Sequence, residues 1–127
     1  MQVKICGITK TDDAVAAVEA GADAIGLIFY EGSKRFVDPE TAASIISNVS
    51  PYTSIVGLFV NADADYVQAV LGCCPLSQLQ FHGDESPEFC SSFNRPYVKS
   101  VPVSRAGNMS EIVAAHRTAR AYLFDTQ

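Results

Sequence analysis

The 127-residue sequence predicts an α/β fold in which parallel strands are joined by crossover helices, and three observations carry that expectation. Short β-rich runs alternate with helical patterns from one end of the chain to the other. Two cap-plus-proline pairs, Asp38-Pro39 and Ser86-Pro87, open helices between such runs. No low-complexity segment or linker interrupts the alternation, so residues 1–127 read as a single domain.

The elements follow in order. Val3 to Cys6 is the first strand, and a helix from about Asp12 to Ala20 follows, with Thr11 as its cap and Gly21 as its stop. Ala24 to Phe29 is the second strand. Asp38 then caps a helix whose Ala42, Ile45, Ile46 and Val49 share one face. Ser54 to Val60 forms the third strand, and Asn61 or Asp63 caps a helix carrying Tyr66, Val67, Val70 and Leu71. Gln78 to Phe81 is the fourth, followed by a helix in which Phe89 and Phe93 lie one turn apart. Tyr97 to Val101 makes the fifth strand. Asn108 to about Ala119 is the fifth helix, with Glu111 three residues after the cap, and Ala121 to Asp125 is the sixth strand.

Right-handed crossovers between parallel strands leave two layouts, an open doubly wound sheet or part of a (β/α)8 barrel. A dinucleotide-binding sheet calls for Gly-x-Gly-x-x-Gly after the first strand, and Cys-Gly-Ile-Thr-Lys-Thr supplies one glycine only. The formal net charge of -5 supplies no basic stripe and repels nucleic acid and anionic membrane surfaces. No apolar run approaches the roughly 20 residues that span a bilayer, and Met1 to Thr9 is too short for the apolar part of a signal peptide. A cytoplasmic location is therefore expected. The four cysteines, Cys6, Cys73, Cys74 and Cys90, form no Cys-x-x-Cys pair and are expected to be reduced.

In both layouts chemistry collects at the C-terminal ends of the strands, where loops hold reactive groups and strands fix their positions. Those ends carry Cys6, the Ser33-Lys34-Arg35 loop, Asn61, His82, Asp84 and Asp125. Cys6 is either a small buried filler or a base or nucleophile, and Lys4, two residues earlier on the same face, is a cation that would favour its thiolate. Asp125 ends an apolar run as a helix cap or as a placed proton donor. Arg35 is a solvated loop charge or a planar fork for a substrate carboxylate. His82 bonds nearby backbone or takes part in the chemistry. His116, Cys73, Cys74 and Cys90 read as structural.

Five stretches, Val-Lys-Ile-Cys-Gly-Ile-Thr, Gly-Ala-Asp-Ala-Ile-Gly-Leu-Ile-Phe, Ser-Lys-Arg-Phe-Val, Val-Gly-Leu-Phe-Val-Asn and Gln-Phe-His-Gly-Asp-Glu-Ser-Pro-Glu-Phe-Cys, occur in that order. Together they resemble phosphoribosylanthranilate isomerase over essentially all 127 residues. The resemblance implies a TIM (β/α)8 barrel and a cofactor-free, metal-free Amadori rearrangement in tryptophan biosynthesis. Its substrate is a phosphorylated amino-sugar, N-(5-phosphoribosyl)anthranilate, and its product 1-(2-carboxyphenylamino)-1-deoxyribulose 5-phosphate. It also implies that Cys6 is the general base at C2, that Asp125 is the general acid on the furanose oxygen, and that Arg35 and His82 contact the substrate. A related sugar-phosphate isomerase of histidine metabolism would call for aspartate at the end of strand one, where this chain has Cys6.

Members of that family are longer, so the resemblance implies only the first five βα units and strand six of the barrel. In a closed ring, strands one and six are three steps apart through strands seven and eight. In a flat six-strand sheet their tips would lie five spacings apart, roughly 24 Å at about 4.8 Å each. The isolated chain is therefore expected to be inactive, and to belong to a longer polypeptide or to pair with a complementing C-terminal segment or with itself.

Overall fold

The computed structural model describes residues 1–103 and 106–126, apart from the side chains of residues 106–108. Eleven elements alternate: β1 (Lys4–Cys6), α1 (Thr11–Glu19), β2 (Ala24–Ile28), α2 (Pro39–Ser47), β3 (Ser54–Phe59), α3 (Ala64–Cys73), β4 (Gln78–Phe81), α4 (Pro87–Ser91), β5 (Tyr97–Pro102), α5 (Ala106–Ala115) and β6 (Ala121–Asp125). The strands form one parallel sheet in sequence order, with Cys6 beside Gly26, Ile28 beside Leu58, Phe59 beside Phe81, Phe81 beside Lys99 and Pro102 beside Asp125. A doubly wound sheet reverses its strand order at a switch point, and this one never does.

The sheet also curls. Lys4 Nζ on β1 donates to Gln80 Oε1 on β4, three strands away. In a flat sheet the two backbones would be about 14 Å apart with side chains standing upright. Closing that gap requires the inner faces of β1 and β4 to turn toward each other, as they do in a barrel. The flat alternative, with its roughly 24 Å between strand tips, is not the form adopted.

Helix boundaries follow local chemistry. Asp38 Oδ1 accepts the Thr41 N–H at 2.8 Å and Ser86 Oγ accepts the Phe89 N–H at 3.1 Å, so both cap-plus-proline readings hold. Thr11 is instead the first residue of α1, and Lys10 in the cap position makes no side-chain cap. Asp12 and Asp13 in the first turn favour the helix N-terminus electrostatically. At the other end the Gly21 N–H bonds Val18 O and the Ala22 N–H bonds Ala17 O, the paired bonds of a Schellman stop. Asp63 holds the cap position of α3 without a side-chain bond, and Asn61, the other cap candidate, bonds elsewhere. The α5 helix begins at Ala106, ahead of the predicted Asn108 cap, whose side chain lies outside the described ones, and it ends four residues before Ala119.

Alternation along each strand divides the interior. Ile25, Leu27, Ile55, Phe59, Leu79, Phe81 and Tyr97 face the helices and join Ala14, Ala42, Ile45, Val67, Val70, Cys90 and Phe93 in one core. Phe81 lies at its centre, its ring 5.7–6.2 Å from those of Phe59, Phe89, Phe93 and Tyr97. Burying each such side chain contributes about 1.5–3 kcal/mol. The residues between them point the other way and line the inner face. No helix among the described residues is long and apolar enough to cross a membrane.

Candidate active site

The inner face becomes polar toward the C-terminal tips of its strands. Cys6 ends β1, half-buried, and its neighbour across the ladder is Gly26. A Cβ built on Gly26 would fall 3.0 Å from Cys6 Sγ, so glycine leaves room for the sulfur over β2. Gly7, the next residue, has φ +83° and turns the chain sharply outward. A side chain there would meet the Arg35 guanidinium 2.4 Å away. Arg35 crosses that gap and donates from Nη1 to the Cys6 carbonyl at 3.1 Å. The glycine after the cysteine is thus what lets the arginine lie against the tip of β1.

His82 follows β4, and Asp125 closes β6. His82 Nε2 lies 3.4 Å from Asp125 Oδ2, with the two side chains 25% and 30% exposed, so a solute can reach both. His82 Nδ1 is 2.8 Å from Ser100 Oγ on β5. The four candidate residues therefore form two pairs, Cys6 with Arg35 and His82 with Asp125, at the same end of the curled sheet. Lys4 joins their surroundings through Gln80 rather than through a contact with Cys6.

An open pocket of about 650 Å³ reaches the rim beside His82 and Asp125 and runs outward between the loop after β4 and α5. Neither Cys6 nor Arg35 lines it. It records the gap beside β5 and β6 rather than the space above the tip of β1.

Behind His82 lies a network, buried at Glu85 and Lys99 and exposed at Asn61 and Asp84, whose buried pair the sequence reading missed. Glu85 Oε1 accepts the Gly83 N–H at 2.9 Å, and its Oε2 accepts the Asn61 N–H at 2.8 Å. Asn61 Oδ1 in turn accepts the Asp84 N–H at 2.9 Å, which is why Asn61 takes φ +48° and does not cap α3. Lys99 Nζ lies 3.5 Å from Glu85 Oε1 and donates to the carbonyls of Gly83 at 2.6 Å and Phe81 at 3.3 Å. The pair is almost fully enclosed, and these further bonds offset its desolvation. Its effect is to tie the loops after β3 and β4 together, fixing the position from which His82 projects. A lysine in the middle of an apolar strand, Tyr97 to Val101, is the sequence signal for such a pair, since a charge there demands a partner.

The residues read as structural have structural surroundings. His116, just beyond α5, is buried with Nδ1 3.1 Å from the Tyr97 hydroxyl, and burial first, then the Lys99 cation, lowers its pKa below the usual histidine value. Burial pushes the Cys74 and Cys90 thiols up to about 12, so both stay protonated. Cys73 is exposed, and its thiol lies 3.5 Å from the Pro39 carbonyl.

Comparison with known proteins agrees with this geometry. The family model described as N-(5'-phosphoribosyl)anthranilate (PRA) isomerase matches residues 3–127. The N-(5'-phosphoribosyl)anthranilate isomerase of Acidithiobacillus ferrooxidans is 50% identical over 125 residues, covering 98% of this chain and 61% of the relative. That of Pseudomonas fluorescens is 50% identical over 123 residues, covering 97% and 59%. The crystal structure of phosphoribosyl anthranilate isomerase from Thermotoga maritima superposes with a TM-score of 0.91 at 35% identity, covering 100% of this chain and 63% of that one. A second structure of such an isomerase, in complex with reduced 1-(o-carboxyphenylamino)-1-deoxyribulose 5-phosphate, gives 0.90 at 35% identity, covering 99% and 66%. The chain spans about three-fifths of the length of the curated relatives it matches. Six parallel strands in sequence order, curled so that a thiol, an arginine, a histidine and a carboxylate gather at one rim, are the first six strands of a TIM barrel, and the chain belongs to the phosphoribosylanthranilate isomerase family.

Proposed function

We propose that these 127 residues supply the catalytic groups of a cytoplasmic phosphoribosylanthranilate isomerase whose turnover requires the remaining strands of the barrel. Asp125 is the general acid that protonates the furanose oxygen, and ring opening leaves an iminium between C1 and the anthranilate nitrogen. That cation acidifies the C2 proton, and the Cys6 thiolate removes it to leave an enaminol, which then takes a proton at C1 from the Cys6 thiol while its C2 hydroxyl proton returns to Asp125. The product is the amino-ketone. Electrons and protons balance within the substrate and these two groups, and no cofactor enters. Arg35 holds the anthranilate carboxylate with its planar fork, and His82 contacts the substrate beside Asp125.

One observation carries the reading: in a chain of this family, Cys6 and Asp125 end β1 and β6, two strands of one curled sheet that carry their tips at the same rim. Their neighbours support it. Gly26 leaves space for the sulfur, and His82 meets the carboxylate.

The two edges favour a second requirement. Ile5 on β1 and Phe124 on β6 face outward and are 41% and 55% exposed, where a complete barrel would have further helices. We propose that a complementing C-terminal segment, in the same or another polypeptide, covers them; self-association of the edges is the non-catalytic alternative. The test joins this chain to the C-terminal two-fifths of the Acidithiobacillus ferrooxidans relative and measures turnover of N-(5-phosphoribosyl)anthranilate. Activity is expected from the joined protein. Cys6→Ala and Asp125→Asn should each lower kcat by about 10² to 10⁴. Arg35→Met should chiefly raise KM. Unchanged turnover after Cys6→Ala would overturn the assignment, and a self-associated chain that gains no activity on joining would favour the non-catalytic alternative.

A further inference from the structure

Three hydrogen bonds cross the inner face in series, from Lys4 on β1 to Gln80 on β4, Ser100 on β5 and His82, whose Nε2 then lies 3.4 Å from the Asp125 carboxylate on β6. Gln80 and Ser100 are buried, 2% and 4% exposed, and no buried side-chain nitrogen or oxygen among the described residues lacks a partner. Water therefore does not choose the direction of these bonds. The chemistry of the two ends does.

An ammonium can only donate, so the Gln80 amide must turn its oxygen to Lys4 and its NH₂ to Ser100. The Gln80 Nε2 is 3.3 Å from Ser100 Oγ and can only donate to it. Ser100 then has its proton free for His82 Nδ1, at 2.8 Å. An imidazole that accepts at Nδ1 carries its proton on Nε2, and Nε2 faces the Asp125 carboxylate, which can only accept when ionised.

We infer that Lys4, Gln80 and Ser100 form a one-way hydrogen-bond chain that holds His82 as its Nε2–H tautomer, aimed at Asp125. Gln80 and Ser100 are then positioning residues, acting on the carboxylate through His82. In the proposed reaction, on whose reading this role for the chain rests, a fixed Nε2–H stabilises Asp125 once it has given up its proton and keeps the carboxylate oriented for its return.

The direction of the chain can be reversed by one isosteric change. In Gln80→Glu, the new carboxylate still accepts from Lys4 but can no longer donate to Ser100. The serine hydroxyl must turn to it, and Ser100 Oγ becomes an acceptor for a proton on His82 Nδ1. ¹⁵N NMR of the histidine-labelled protein near pH 8 reads this directly, because protonated and bare ring nitrogens resonate far apart. The chain has two histidines, and His116→Gln assigns the other ring to His82. Wild type is expected to show a bare Nδ1 and a protonated Nε2, and Gln80→Glu a protonated Nδ1. Ser100→Ala provides a second measurement should the buried glutamate unfold the protein: exchange of the Nε2 proton with water should quicken about tenfold, the worth of one hydrogen bond, and Ser100→Thr should restore it. A wild-type Nδ1–H, a bare Nδ1 in folded Gln80→Glu, or unchanged exchange in Ser100→Ala would overturn the inference. None of these readouts uses substrate, so an inactive joined barrel would sink the catalytic reading while leaving the tautomer standing.

Discussion

The two faces of the same strands obey different rules. On β4, Leu79 and Phe81 point to the helices and are completely buried among apolar neighbours, while Gln80 and, just past the strand, His82 point inward into hydrogen bonds. One residue of displacement separates packing from chemistry. The outer face is held by area removed from water, which is tolerant of direction. The inner face is held by donors and acceptors, in which each partner dictates the next. Changes to the outer face should therefore cost stability, and changes to the inner face should redirect protons with less effect on the fold.

The sharpest break in that contrast is Phe81→Ala. Its ring contacts four other aromatic rings, and the helices cannot collapse into the space it leaves. We expect a loss of about 3–5 kcal/mol in urea unfolding. A loss under about 1 kcal/mol, the size of a surface change, would mean that the aromatic cluster is not what secures the sheet to its helices.

Lys99→Met probes a place where the rules cross, since Lys99 lies on the outer face yet makes ionic and carbonyl bonds. Removing the cation leaves Glu85 enclosed with only its two backbone N–H partners. The expected cost is about 3 kcal/mol, at the low end for a broken buried pair because those two bonds remain. Adding Glu85→Gln should recover much of the loss by removing the stranded charge. Should the double variant be as unstable as the single, the lysine would matter for its packing alone.

This division explains what was legible in the sequence. Outer-face patterning and cap-plus-proline signals depend on neighbours in the chain, so all six strands and the α2 and α4 starts could be read directly, whereas the strand order followed only from the resemblance to a barrel family. Two boundaries shifted: Asn61 was diverted from capping to the Asp84 N–H, and Thr11 became the first residue of its helix, with Lys10 in the cap position. Cys6, Arg35, His82 and Asp125 could be singled out because strand tips are where such residues gather. The Glu85–Lys99 pair and the Gln80–Ser100 link could not, since each joins residues from different βα units whose proximity exists only once the sheet has curled. The curl also sets aside the flat arrangement, for which roughly 24 Å would separate the outer tips.

The two histidines offer the finest version of the comparison. His82 stands at the rim with a carboxylate before it, whereas His116 is enclosed beside Tyr97 and within reach of the Lys99 charge. Burial and that cation both disfavour protonation of His116, so its folded pKa lies below the value near 6.5 of the unfolded chain. The unfolded chain then binds more protons as pH falls through that value, and stability must fall with it. The contribution is complete above pH 6.5 and is lost progressively below it, until the folded pKa is passed. Asp38, whose carboxylate is held below its usual pKa of 3.8 by the Thr41 backbone N–H, acts only in more acidic solution. His116→Gln keeps an acceptor for the Tyr97 hydroxyl and removes the titration. Its unfolding free energy should therefore be flatter than that of wild type on going from pH 7 to pH 5, the smallest effect of the series. Equal slopes would show that protonated His116 is tolerated where it lies, and that the outer face is less closed to charge than its packing implies.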